Sequence, residues 1–170
     1  MIKIEDLPKS VPIFPLSNFI FFPNTSAPLN IFEPRYIAMI DQCMKTDRLL
    51  GMAQPKRITA NKIPELFDVG CLGKISSFNE TEDGRYVIIL NGITRFNISK
   101  EIENNKAFRE FEINFNSFEN DTTDRKEKID FSDLNLIFKD LKRVFDKQGY
   151  LINWNELKKQ SLDQTINTLS

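Results

Sequence analysis

The 170-residue chain contains no histidine, and that absence removes most of the ways a side chain could move a proton near neutral pH. Ser-His-Asp and Cys-His nucleophiles and the H-E-x-x-H zinc helix all need an imidazole, and what is left is poor material for a zinc site. No catalytic residue, metal ligand or cofactor is expected. The run Gly70-Cys71-Leu72-Gly73-Lys74 has the look of a phosphate loop. Its glycines are wrongly spaced, Ile75 stands where Ser or Thr would bind magnesium, and it lies in a strand pattern with no helix after it. Gly70 and Gly73 read instead as a bulge or a close approach between strands. Cys71 has neither an imidazole partner nor a cluster of cations, so its thiol should stay protonated in a buried site. Glu33 and Arg35 flank Pro34 and could serve as an acid and an electrophile. Their simpler role is structural, with Glu33 at a helix start and Arg35 bonding nearby carbonyls or a carboxylate. An enzyme reading would have to rest on carboxylates alone.

The elements that must position these residues begin with Val11 to Met44, the densest apolar stretch. Pro12, Pro15, Pro23, Pro28 and Pro34 cut it into short runs, because each ring removes a donor and restricts the residue before it. Ile13, Phe14, Phe19 to Phe22 and Ile31 favour strands, with a turn at Pro23-Asn24. At Pro34 the period changes. Pro34 suits the first helical position, Glu33 complements the helix dipole, and Tyr36, Ile37, Ile40, Cys43 and Met44 recur at helical spacing. The segment therefore predicts strand, turn, strand and an amphipathic helix that ends near Thr46 to Arg48.

Leu49 to Ala53 reads as a buried strand stopped by Pro55. Lys56 to Asp68 reads as a long loop with a turn of helix near Pro64 to Phe67, either a strap with Ile63, Leu66 and Phe67 tucked under it or a binding loop. Val69 to Asn79, Arg85 to Asn91, Ile93 to Ile102 and Arg109 to Phe118 are successive strand candidates, with turns at Glu82-Asp83-Gly84 and Asn91-Gly92 and a looser bend at Asn104-Asn105. Tyr86 to Leu90 is apolar throughout and predicts a strand buried on both faces, whereas Phe111, Ile113 and Phe115 alternate with polar residues and predict one wet face. About six mostly antiparallel strands with turns this short tend to curl into a barrel, with the helix plugging or flanking it.

Glu119 to Asp130 is polar and aperiodic, a linker. Leu134, Ile137, Phe138, Leu141, Val144 and Phe145 then form a helical stripe ending at Gly149, a left-handed cap position. Trp154 and Leu157 can start a short second helix. Ser161-Leu162-Asp163-Gln164 has the arrangement of a capping box for a third.

Pro-Ile-Phe-Pro-Leu from Pro12, then Phe22-Pro23, then Pro-Leu-Asn-Ile-Phe-Glu-Pro-Arg-Tyr ending at Tyr36, resembles the N-terminal substrate-binding (LON) domain of the ATP-dependent Lon protease, which also occurs as a stand-alone protein. Asp68 to Ile75, Asp83-Gly84-Arg85 and Leu90 to Phe96, which includes Gly92, resemble its later strands in the same order. The matches cover roughly Val11 to Phe115. The resemblance implies an α+β, mainly β fold: a PUA-like antiparallel β-barrel of about six strands with one flanking helix over 1–118, a linker over 119–130 and a helical subdomain over 131–170. It also implies that the last helix continues into a bundle, so the chain reads as a shortened version of a longer polypeptide. Binding rather than catalysis follows from it, with unfolded or degradation-marked client polypeptides as partners and an ATP-dependent protease as a further one.

Such a client needs exposed aromatic surface near irregular loops. The fifteen phenylalanines, against one tryptophan and three tyrosines, must mostly be core. In Phe19-Ile20-Phe21-Phe22, however, adjacent side chains of an extended backbone point to opposite sides, and one side must meet another element or a ligand. Phe19, Phe22, Phe32, Leu66 and Phe67 are the candidate polypeptide-binding residues. RNA binding is the alternative, since PUA-like barrels elsewhere bind RNA, but a net charge of -1 and the lack of a basic stripe argue against it. Cys43 and Cys71 form no disulfide framework, the N-terminus is too polar for a signal peptide, and no apolar run is long enough to span a membrane, so the cytoplasm is the expected compartment.

Overall fold

Two long strands, each bent by bulges, carry the rest of the chain. The computed structural model describes residues 3–56, 64–122, 131–149 and 153–154. Its strands are β1 Ser10–Pro15, β2 Ser26–Ile31, β3 Leu49–Pro55, β4 Leu66–Glu80, β5 Tyr86–Ile102 and β6 Glu110–Asn114. Helix α1, Pro34–Met44, falls between β2 and β3, and α2, Phe131–Gln148, follows a 3-10 turn at Glu119–Thr122. The strands form one six-stranded sheet in the order β2-β5-β4-β3-β1-β6, and β6 pairs with β5 as well as with β1. The pairings therefore run from β5 through β4, β3, β1 and β6 back to β5, with β2 outside the circuit. This is a mainly β fold with a helix.

The ladder is not wholly antiparallel, as β1 runs parallel to β3, with Phe14 opposite Met52. The reason is connectivity: β2 and α1 intervene between them and return the chain to the same end, a crossover that a tight hairpin cannot make.

The predicted turn at Asn91-Gly92 does not exist. β5 runs through it unbroken, and Leu72/Gly73 on β4 meets Thr94 and Gly92 with Ile93 left out of register, a bulge. Gly92 is there for another reason. A Cβ at Gly92 would collide with the carbonyl oxygen of Phe22, so the residue answers to a close backbone approach rather than to a positive φ. Glu82-Asp83-Gly84 is a turn, with Gly84 at φ 77°.

Tyr86 to Leu90 is not buried on both faces. Ile88 and Leu90 are fully enclosed while Val87 and Ile89 are about two-fifths exposed (39% and 40%), because among the described residues no element covers the outer side of β5 where it pairs with the edge strand β2. The turn of helix expected near Pro64 to Phe67 is instead the start of β4, where Leu66 pairs with Pro55 and Glu65 accepts a bond from the Lys56 amide at 2.7 Å. Residues 57–63, with Ile63, lie outside the described residues. The strand predicted over Phe19 to Phe22 is an unpaired strap between β1 and β2.

Helix α1 starts where its signals place it, with Glu33 as the extended N-cap and Pro34 next. It buries Tyr36, Met39, Ile40 and Cys43 against Leu29, Ile31, Ile88 and Leu90 of β2 and β5. Tyr86 donates its hydroxyl to Asp41 at 2.9 Å and ties strand to helix. A second cluster gathers Val11, Ile13, Leu66, Leu72, Phe111 and Ile113 around Phe96. Phe96 is fully buried; a Cβ at Gly51 or Gly70 would lie 2.8 Å or 2.5 Å from its ring carbon Cζ. Enclosing that side chain stabilises the fold by roughly 2–3 kcal/mol. α2 ends with Gly149 at φ 79°, the left-handed cap that its sequence predicts. Phe145 meets Trp154 edge-on, with ring centroids 6.2 Å apart; residues 123–130 and the third predicted helix lie outside the described residues.

Gly92→Ala should lower stability by about 2 kcal/mol or more, since the obstructing atom is backbone and cannot rotate away. Gly84→Ala, where nothing stands within 4 Å, should lose only about 1 kcal/mol, from its positive φ. Urea denaturation of the pair measures both, and equal losses would contradict the close approach.

Candidate functional site

The strap, residues 16–25, cannot join the sheet. Pro15 and Pro23 bracket it, and Asn18 and Asn24 adopt left-handed backbone at φ 57° and 58°, a conformation that Asn tolerates and that reverses an extended chain. It is pinned at separate points. The Leu16 amide donates to the Ala53 carbonyl at 3.2 Å, and Gln54 Nε2 donates to the Phe19 carbonyl at 3.1 Å. At the far end, the Asn24 amide donates to the Gly92 carbonyl at 3.0 Å, and the Gly92 amide to the Thr25 carbonyl at 2.8 Å. Thr25 Oγ1 closes the bend by donating to the Phe22 carbonyl at 2.7 Å.

Pinned in this way, the strap stands off the sheet and leaves a cleft of about 300 Å³. Leu16 and Phe19 to Phe22 form one wall, Phe67, Val69, Gly70 and Cys71 of β4 the other, Met52 to Gln54 of β3 close the end, and Arg95 of β5 also lines it. That volume lies at the small end of the range for ligand pockets and suits one or two side chains rather than a whole cofactor. Ile20, Phe67 and Val69 are nearly half exposed at 45%, 48% and 46%. Large apolar groups left in water around a concave surface are the usual mark of a binding site.

Of the candidate binding residues, Phe19, Phe22 and Phe67 line the cleft. Leu66 points the other way into the Phe96 cluster, as alternation along a strand requires. Phe32 is 65% exposed and is not among the lining residues. Glu33 and Arg35 form a surface ion pair at 2.7 Å, Arg35 covers the Tyr36 ring at 4.6 Å, and Tyr36 packs on Phe14 at 4.5 Å. Gly70 floors the cleft and Gly73 makes room for Leu90. Sequence reasoning missed Leu16, Ile20, Met52, Gln54, Val69 and Arg95. Gln54, a lone amide closing an apolar strand, was the available signal; nothing local marked Arg95.

Arg95 is the charged residue among those that line the cleft, and it is matched. Its Nε and Nη2 donate to Asp121 Oδ2 and Oδ1 at 2.9 and 2.7 Å, and its backbone amide donates to Oδ2 at 2.9 Å. The guanidinium lies 4.6 Å from the Phe118 ring centroid. The Asp121 side chain is only 8% exposed. Burial alone would raise its pKa, but the bonds from Arg95 outweigh burial and hold the carboxyl below its ordinary 3.8. Cys71 is buried, which pushes its thiol well above the ordinary range, and burial pushes Cys43 up to about 12. Neither is a nucleophile at neutral pH.

The candidate site of this small mainly β domain is an apolar cleft, and neither of its two thiols is activated. The sequence profile that matches residues 10–170 is that of the ATP-dependent protease La (LON) substrate-binding domain, and the chain belongs to that family. It is 26% identical over 105 residues to Lon protease 2 of Myxococcus xanthus, covering 61% of this chain and 13% of that protein. It is 26% identical over 147 residues to Lon protease of Desulfosudis oleivorans, covering 82% of this chain and 17% of that protein. The chain thus spans a small fraction of the length of these curated relatives. Among solved structures it is similar to the N-terminal domain of Mycobacterium avium complex Lon protease, with a TM-score of 0.61 and 17% identity over 94% of this chain and 81% of that one; that likeness bears on the fold.

Asp121 titrates lower in the folded protein than in the unfolded chain, so its contribution to stability is complete above pH 3.8 and is lost as the pH falls through its folded value. In acid titrations followed by circular dichroism, the stability advantage of the wild type over Asp121→Asn should shrink below about pH 4. An advantage unchanged down to pH 2.5 would show that Arg95 does not hold the carboxylate.

Proposed function

We propose that this domain is a non-catalytic receptor for unfolded polypeptide segments, seating one or two bulky apolar side chains of an extended client in the cleft between the strap and β4. The observation that carries the reading is the cleft itself, with half-exposed Phe67, Val69 and Ile20 around a floor of buried Gly70 and Cys71. Its size suits single side chains. Its matched cation leaves an apolar ligand as the complementary one. Membership of a family described by substrate binding supports the same reading. We take the closed run of strand pairings to be the PUA-like barrel that the resemblance implies, with the cleft beside it. A role in handing clients to an ATP-dependent protease is part of the proposal, since the relatives are Lon proteases. The RNA alternative gains nothing from the cleft, where Arg95 is neutralised and no cluster of free cations offers phosphate a partner.

The wild type should capture a permanently unfolded, fluorescently labelled model protein with a dissociation constant in the micromolar range. Phe22→Ser and Phe67→Ser should each weaken capture about tenfold, as loss of an aromatic anchor does. Phe32→Ser, outside the cleft, should not change it. Fluorescence anisotropy, with melting curves to confirm folding, measures all of these, and absence of capture by the wild type would overturn the proposal.

A further inference from the structure

We propose that Asp121, which does not itself line the cleft, determines the cleft's charge specificity by cancelling the charge of Arg95, so that neutral apolar segments bind and acidic ones gain nothing. The inference deepens the polypeptide-binding reading and rests on it.

The geometry assigns this role through placement. Asp121 sits in a 3-10 turn at Glu119–Thr122 that follows β6, closed by bonds of its own and tied to β5 by one more. The Phe118 amide donates to the Phe115 carbonyl at 2.9 Å and the Asp121 amide to the Phe118 carbonyl at 3.0 Å. Thr122 Oγ1 donates to the Glu119 carbonyl at 3.1 Å, and Asn97 Nδ2 to Ser117 Oγ at 3.0 Å. The turn thus carries the carboxylate to the Arg95 backbone amide and side chain. The carboxylate takes up both donors on one edge of the guanidinium together with a backbone amide. An Arg fork closed on a carboxylate is directional, and a second carboxylate approaching the remaining edge meets a charge that is already cancelled.

Arg95 remains 46% exposed along its side chain and lines the cleft, so it meets whatever enters. With Asp121 present, the pair carries no net charge and presents the aliphatic stem of Arg95 to the ligand. Without it, an uncompensated cation would stand in an apolar cleft. Such a cation attracts acidic ligands in a salt-dependent way. A simple stabilising ion pair would predict no change in ligand preference when it is broken, and this is where the two readings part.

The test uses two labelled twelve-residue peptides, one built from Phe, Leu, Gly and Ser and the other identical but with Asp in place of two Ser. Binding is read by anisotropy at low and high salt. The wild type should bind the acidic peptide no more tightly than the neutral one and show little salt dependence. Asp121→Asn should hold the neutral peptide within about twofold and bind the acidic one about fivefold more tightly at low salt, the gain vanishing at high salt. Adding Arg95→Met should abolish that gain. If Asp121→Asn fails to fold, Asp121→Ser, which keeps an acceptor for Arg95, carries the same expectation. Neutral-peptide binding with no gain for the acidic peptide would overturn the role of Asp121 and leave the binding function standing. A wild type that bound the acidic peptide more tightly than the neutral one would also overturn it. Binding of neither peptide would overturn the binding function and this inference with it.

Discussion

The contact on which the rest depends is the passage of the Phe22 carbonyl over Gly92, an approach so close that no side chain fits between. It joins the strap to the one strand that belongs to both halves of the sheet. On one side of β5, the pairing changes from β2 along Tyr86 to Asn91 to β6 along Asn97 to Ile102. The bulge at Gly92 lies before that exchange, and the strap crosses there. Moving the strap outward would break the bonds of Asn24 and Gly92 and open the cleft wall. A glycine that looks like a turn residue is in fact where one wall of the cleft is seated.

Glycines likewise make space for Phe96. Its ring occupies room that side chains at Gly51 and Gly70 would need, so it packs directly on the backbone of β3 and β4. Gly70 has its other side at the cleft floor. Packing inside the sheet and the depth of the cleft are therefore set at one residue, and close-packed interiors pass such changes on to their neighbours. Cys71 beside it shares the constraint, as a small apolar side chain whose thiol burial keeps protonated.

The cleft's electrostatics come from further away. Arg95 reaches a carboxylate 26 positions later in the chain, brought back by the turn after β6. The outcome is an apolar surface without net charge, suited to ligands that share burial energy and little else. Apolar contact is non-directional and roughly proportional to area, which fits the proposed capture of many sequences better than recognition of a single ligand.

Local chemistry made much of this legible. Glu33-Pro34 announced α1, Gly84 the β4 to β5 turn and Gly149 the end of α2, because caps and positive φ depend on a few neighbouring residues. Periodicity and the family resemblance likewise indicated a mainly β chain and put forward Phe19, Phe22, Phe32, Leu66 and Phe67 together, of which Phe19, Phe22 and Phe67 line the cleft. Apolar runs could not say which faces would be covered: Val87 and Ile89 look like core residues until β2 proves to be an edge that no described residue covers. Nor could residue type separate Leu66, which is buried, from Phe67, which lines the cleft, since neighbouring positions differ only by which way the pleat turns. The parallel pairing of β1 with β3, the reason for Gly92 and the marriage of Arg95 to Asp121 were decided by the tertiary structure alone. Each is a contact between residues distant in the chain, and a partner's identity is not written in the residue that needs it.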